Sequence, residues 1–529
     1  MGRGFHRKPR PTASACRKRL DFLGRRKRRA CGHPRLRDVQ GVIPDPLKVG
    51  QQLRKDDARL VGAGSGTHPV QLVLPVGARH IVDPLLQRGH VFQQFHGFRR
   101  FTGQLVQHRQ AYALHLLELP AGRVGEVELG ASALAGVYYM AIFMIGFGFS
   151  IGTQILIARR NGEKAYADIG PLLQQGILFL LLLAAVMFVV SRTFTPVVLR
   201  WVIDSGPVCD AAISYTNWRV YGFFFSFVAV MFRAFYVGTT NTKILTANSV
   251  TMVLTNVALN YALIFGKFGL PAMGIAGAAI ASSASELASA LFFILYSWLK
   301  TDHRKYGLFR FARPRPRLLG RMLNVSVWTM LQSFVSVATW FLFFLAVEHL
   351  GERPLAVSNI VRSISGIIFM AVSAFASTAS SLVSNQMGAG QQALVMPTVR
   401  RIVGMCYLTI APAALLFALF PTAVLRIYTD SIPLIDSSVS SLWVMLSAYL
   451  LTVPAIILFN TVSGTGNTRS ALALEMTTLL IYILYTLYVV IYLRADVAVC
   501  WTTEHVYAIV MLLLACRYLK KADWQHKKI

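Results

Sequence analysis

From about Leu129 to the C-terminus, long apolar runs alternate with short polar ones. Each run approaches the ~20 residues that an α-helix needs to cross a bilayer. The pattern predicts eleven spans, at about 131–157, 171–191, 218–238, 246–265, 275–299, 323–347, 358–384, 398–420, 440–463, 470–493 and 498–517. Loops between them are short, except at 300–322. The expected fold class is an all-α polytopic membrane protein.

The polar punctuation repeats. Gly238-Thr239-Thr240-Asn241-Thr242-Lys243 returns 226 positions later as Gly464-Thr465-Gly466-Asn467-Thr468-Arg469. The same offset pairs Phe149 with Phe375, Gly162 with Gly388, Pro171 with Pro397 and Asp204 with Asp430. It also pairs Val198-Leu199-Arg200 with Val424-Leu425-Arg426, and Gly125-Glu126 and Leu129 with Gly351-Glu352 and Leu355. Many matches at one offset, mostly Gly, Pro and loop charges, mean an internal duplication, a frequent build of secondary transporters. Two pseudo-symmetric six-helix lobes are expected, the first with only five recognisable helices. The register puts the counterpart of the run Val325–Val347 at about 99–121, which carries Arg100, His108, Arg109, His115 and Glu118. Central charges cost ~2.5–3.5 kcal/mol each in a spanning helix, so this stretch does not read as one.

Composition sharpens the division. The chain is 55% hydrophobic and only 14% charged, against ~25% charged residues in soluble proteins. The net charge of +30 is unevenly spread: residues 1–123 hold 24 Lys and Arg against seven Asp and Glu. Residues 1–121 contain Arg25-Arg26-Lys27-Arg28-Arg29 and no apolar run of spanning length, and their basic start leads into no signal-peptide core. They read as a basic leader, disordered or mis-translated. A nucleic-acid-binding or lipid-binding arm and a targeting peptide are the alternatives, and no nucleic-acid partner is expected. The rest divides into an N-terminal transmembrane lobe at 122–299, a basic linker at 300–322, and a C-terminal lobe with a basic tail at 323–529. Six Cys at 16, 31, 209, 406, 500 and 516 show no paired spacing, so neither zinc nor a disulfide framework is implied.

Lys and Arg set the orientation, because basic loops stay cytoplasmic. Alternate loops are basic: Arg159-Arg160 with Lys164, then Lys243, the linker, Arg400-Arg401, Arg469, and the tail from Arg517 to Lys528. The intervening loops are balanced or acidic. Both Gly-Thr stretches are then cytoplasmic turns, and the halves form a parallel repeat about an axis along the membrane normal. The cytoplasmic membrane is the expected location.

Intramembrane carboxylates are the sharpest candidates for function, because burying one is costly. Glu286 and Glu475 lie well inside predicted spans, while Glu348, Asp496 and Glu504 end or flank them. A carboxylate on a cavity can take H⁺ or Na⁺ or pair with a cationic substrate. The alternative for Glu475, six residues after Arg469, is a place at the membrane interface. Asn256 and Asn260 share one helix face and could hold an ion or a ligand, or simply bond a neighbouring helix. Gln332, Asn359 and Arg362 are the polar points of the second half, with Arg362 read as the one Arg inside a span. Trp340, Phe341, Phe343 and Phe344, with Tyr138 and Tyr139, are candidates for an aromatic cavity or for core. Gly274, Gly277, Ala278, Ala281, Ser282, Ser285 and Ser289 form a small-residue face suited to tight helix packing. The chain carries no phosphate-binding loop and no His/Cys cluster, so neither ATP-driven transport nor a metal is implied.

Several stretches resemble the multidrug and toxic-compound extrusion (MATE) transporters: Thr255 to Ala279, Gly152-Thr153-Gln154 with Ala158-Arg159-Arg160-Asn161-Gly162, and Ser463 to Thr468. The resemblance runs from about Gly122 to the C-terminus. It implies twelve helices in two lobes and export of organic, cationic or amphipathic, compounds against H⁺ or Na⁺, with no other cofactor and as a monomer. Two departures stand out. The family's first helix commonly carries an ion-coupling Asp, which has no counterpart here. One branch also reads Asn-x-x-x-Asp where this chain has Asn256-x-x-x-Asn260. A lipid-precursor flippase of the same superfamily and a truncated, non-functional transporter are the rival readings.

Overall fold

The computed structural model describes residues 126–525, except 204, 310–312 and 430. The basic leader, Asp204, Asp430, Arg310 and the last lysines of the tail lie outside the described residues. Among the described residues every regular element is helical. The first half contains α1 (Glu126–Gly162), α2 (Ile169–Val202), α3 (Gly206–Arg219), α4 (Gly222–Gly238), α5 (Lys243–Phe265) and α6 (Gly274–Lys300). The second contains α7 (Pro316–Glu348), α8 (Glu352–Gly388), α9 (Val395–Leu419), α10 (Ile432–Gly464), α11 (Thr468–Thr486, continued as a π-helix to Tyr492) and α12 (Thr503–Lys521). Ten of these helices are long and apolar enough to span a membrane, and the pair α3 and α4, bent by 50°, makes an eleventh. The sequence-predicted span at 218–238 is therefore the second limb of a longer, broken one.

The helix surfaces explain why the chain needs lipid. Leu182, Leu254, Leu408, Leu450 and Leu513 stand exposed on outward faces, where water would penalise each by about 1.5–3 kcal/mol relative to burial. Inside, two large hydrophobic cores form, beside two small clusters around Ala131 and Ala135. One is built from Phe343 to Trp524 of the second half. The other is built from Tyr139 to Phe293 of the first, joined by Leu308 and by Met322 and Val325 at the start of α7. Helix α7 therefore begins in one core and ends in the other. Pro412 and Pro454 sit within α9 and α10, which continue through them.

The duplication is visible in the backbone. Thr240 and Gly466 occupy equivalent positions in the α4–α5 and α10–α11 turns, and both are left-handed, with φ of 61° and 94°. Lys164 and Gly390, again 226 apart, are left-handed too, at 60° and 72°. The β-branched Thr240 holds this geometry at a cost that Gly466 avoids.

These repeated turns meet on the side of the basic loops, where the halves fasten together. Arg159 donates from Nη2 to the Thr465 carbonyl at 3.0 Å, and its repeat partner Asn385 donates to the Gly238 carbonyl at 3.0 Å. Asn161 bonds Asn385 at 2.6 Å, Ser381 bonds the Val237 carbonyl at 2.8 Å, and Ser384 bonds that of Ile155 at 2.7 Å. Thr329 of α7 reaches the Gly148 carbonyl at 2.7 Å. On α1 this seam runs from Gly148 to Gly162, about 21 Å at ~1.5 Å per residue.

Candidate functional site

Helix α6 carries two polar faces in the first half. One faces α5: Asn256 donates to Ser282 at 3.4 Å and Ser285 at 3.3 Å, Asn260 donates to Asn256 at 2.6 Å, and Ser289 bonds Asn248 at 2.9 Å. Gly277 lets α6 approach the Leu263 carbonyl of α5. The small-residue face thus packs two helices and ties them with a string of hydrogen bonds. Asn260 keeps its Oδ1 buried without a partner.

The other face carries Glu286. Arg219 of α3 grips it with two hydrogen bonds, Nη2 to Oε1 at 2.7 Å and Nη1 to Oε2 at 2.9 Å. Tyr139 of α1 donates to the same carboxylate at 2.9 and 3.0 Å, and the Arg219 guanidinium lies 3.5 Å from the centre of its ring. Gly222 leaves the space, since a Cβ there would strike Glu286 and Arg219. A fork pairing of this kind is geometrically specific. From the sequence, Glu286 is a candidate to take H⁺ or Na⁺ or to pair with a cationic substrate on a cavity. It is instead buried and already paired, and it braces α1, α3 and α6.

In the second half one stripe of α7 orders the predicted residues. Gln332, Ser336, Trp340 and Phe344 follow at four-residue steps and so share a face. Ser336 donates to Glu475 Oε1 at 2.8 Å, and Tyr507 of α12 donates to the two Glu475 oxygens at 3.2 and 3.3 Å. Glu475 is 2% exposed, so its carboxylate is enclosed by protein. The ion pairs among the described residues, Arg160–Glu163 and Arg219–Glu286, leave it out. Nearby, Tyr482 stacks edge-on with Tyr507 and bonds Glu504 at 3.4 Å, so a second carboxylate belongs to this cluster. Farther along α7, Trp340 and Phe344 lie 5.6 and 5.2 Å from the Arg362 guanidinium. Asn359 of α8 is half-buried, and its backbone carbonyl accepts from Ser363.

The seven predicted residues therefore do not form one site. Asn256, Asn260 and Glu286 lie on the two helices α5 and α6 of the first half, while Gln332 is on the α7 stripe and Glu475 and Arg362 contact it. Arg362 is not alone inside the spans. Arg159, Arg219 and Arg233 are buried in span helices too, at 5%, 2% and 7% exposure. Ser336 and Tyr507 carried no signal, because a lone hydroxyl in an apolar helix is common. Among the described residues no group of three His, Cys, Asp or Glu is placed to hold a metal.

A profile of the MatE family matches residues 115–262 and 329–488, more than half of the chain. The chain belongs to the MATE family. The two matched segments correspond to the two halves of the repeat. Among curated relatives, a probable multidrug resistance protein NorM from Synechocystis sp. is 26% identical over 311 residues, covering 58% of this chain and 67% of the relative. One from Rhizobium meliloti is 25% identical over 314 residues, covering 59% and 67%. The fold is shared with solved structures. A multidrug resistance MATE family transporter in an outward-facing conformation superposes with a TM-score of 0.74 at 18% identity, covering 82% of this chain and 96% of that one. The eukaryotic MATE transporter AtDTX14 gives 0.71 at 17% identity, covering 82% and 97%. In this MATE chain the α1–α8 seam fastens the halves on the side of the basic loops.

Proposed function

We propose that this MATE chain is a multidrug efflux antiporter of the cytoplasmic membrane, exporting organic cationic or amphipathic compounds in exchange for H⁺ or Na⁺, with Glu475 as the coupling carboxylate. Relatives described as probable multidrug resistance proteins support the export of organic compounds. The observation that carries the coupling residue is the company Glu475 keeps. It is buried, its partners are the hydroxyls of Ser336 and Tyr507, and no ion pair among the described residues includes it. A carboxylate so placed gains most from a bound cation, because an uncompensated buried charge costs several kcal/mol. Glu286 lacks that motive, since Arg219 already neutralises it.

The mechanism follows from α7. This helix begins in the first core and ends in the second, and it holds Glu475 through Ser336. Cation binding relieves the charge on Glu475, and its release restores it. If the α7–α11–α12 cluster differs between the two arrangements of the halves, the ion biases their rocking about the seam. A ligand drives such a change only through its different affinity for the two states.

The test is exchange by the full chain in proteoliposomes loaded with a fluorescent organic cation. An imposed proton or sodium gradient, each applied alone, is expected to drive efflux and to identify the ion. Glu475→Gln should abolish the gradient-driven component while leaving the melting temperature in place. Undiminished gradient-driven efflux from Glu475→Gln sinks the assignment.

A further inference from the structure

Three arginines are buried in the helices of the first half, and they differ in what answers their charge. Arg219 has the Glu286 carboxylate, and Arg159 has the Thr465 carbonyl at the seam. Arg233 of α4 has neither. Its Nη2 lies 3.4 Å from Ser377 Oγ of α8, and its guanidinium sits 4.8 Å from the centre of the Phe147 ring. Its Nη1 is buried with no hydrogen-bond partner, and it belongs to neither ion pair among the described residues. A guanidinium keeps its charge in a protein, so the site holds a positive charge that hydroxyl and ring contacts only partly offset.

A second buried side chain meets the same hydroxyl. Gln154 of α1 is 1% exposed, and its Nε2 stands 3.5 Å from both the carbonyl and Oγ of Ser377. Its Oε1 has no partner. Ser377 is thus the meeting point of a charged donor and an amide from the opposite half. The repeat does not explain the pair. Position 226 beyond Arg233 is Phe459, and that beyond Gln154 is Ser380. Phe147 and Ser377 are only half-buried, so the cluster is not sealed on every side.

We infer that Arg233, Gln154 and Ser377 form a seat for the anionic group of a transported compound, a carboxylate or a phosphate, at the seam between the halves. The anion takes the free Nη1–H of Arg233 and the Ser377 hydroxyl, with the Gln154 amide as a third donor. The seat suits the anionic end of a zwitterion as well as a simple anion. It stands apart from Glu475, so each idea can fail without the other.

The test is equilibrium binding to the full chain in detergent, using a free-acid rhodamine and its methyl ester, two dyes that differ by one carboxylate. The acid is expected to bind about tenfold or more tightly than the ester, the scale of one charge-assisted hydrogen bond. Arg233→Met should remove that preference and leave ester binding unchanged. Gln154→Glu replaces the amide donor to Ser377 with a negative charge, and should remove the preference as well. Benzoate and phenyl phosphate as competitors then tell which anion the seat prefers. Equal binding of acid and ester by the unaltered protein overturns the proposal. So does an equal loss of both dyes in Arg233→Met accompanied by retained preference in Gln154→Glu, which would mark Arg233 as packing only.

Discussion

Gly162 and Gly388, equivalent in the repeat, each abut the backbone carbonyl of the other's counterpart half: a Cβ on Gly162 would strike the Asn385 carbonyl, and one on Gly388 that of Arg159. Asn385 and Arg159 are themselves 226 positions apart. The seam is therefore a pseudo-twofold contact in which small residues let two helices touch, as membrane helices do where packing drives association.

Gly162→Ala and Gly388→Ala should weaken this seam to similar degrees, since each forces backbone apart at a symmetric point. Overpacking of this kind costs about 1–3 kcal/mol. Labelling of a cysteine introduced at Ser381 by a thiol reagent from the basic-loop side should rise in both. If only one of the two variants responds, the symmetry of the seam is structural but not energetic.

The brace at Glu286 predicts a double-mutant cycle. Glu286→Gln or Arg219→Met alone should cost about 3–5 kcal/mol of stability, because each leaves a buried charge unpaired. The double variant should be less damaged than the two losses added together. Thermal melting in detergent reads all four forms, and simple additivity would show that the pair is not energetically coupled.

Ser336→Ala should slow gradient-driven exchange without abolishing it. The hydroxyl positions Glu475, and a hydrogen bond between membrane helices contributes about 0.6–2 kcal/mol, or roughly 3- to 30-fold in rate. Proteoliposome efflux compared with Glu475→Gln separates a positioning residue from the carboxylate itself. A rate equal to that of the unaltered chain would remove Ser336 from the mechanism.

The ring pair around Arg362 should matter for stability. Trp340→Leu removes the face of one ring and should lower stability by about 1–2 kcal/mol, the scale of a partly desolvated cation–π contact. Phe344→Leu should do less, since phenylalanine is the weaker partner. Melting temperatures of the two variants test the order.

Much of the architecture was legible because apolar run length and loop chemistry are local properties. The eleven spans, the offset of 226 and the two equivalent turns needed only residue order, and the left-handed backbone at Thr240 and Gly466 matches that register. The candidate residues were harder. Glu286 and Glu475 look alike in sequence, each a lone acid in an apolar helix. Their difference rests on Arg219, 67 positions from Glu286, and on Ser336, 139 positions from Glu475. The break between α3 and α4 falls between Arg219 and Gly222, and in sequence that pair reads as the start of a single span rather than a bend within a longer one.

By itself the sequence determined the class of molecule: a duplicated, all-helical membrane chain, since lipid demands long apolar helices whatever their neighbours. Only the tertiary structure decided which polar groups meet. It gave Glu286 a cation, gave Glu475 hydroxyls alone, and brought Arg233 and Gln154 to one serine of the opposite half. The reason is physical: burial sets how much a polar group needs a partner, but distance across the packed helices sets which partner it finds.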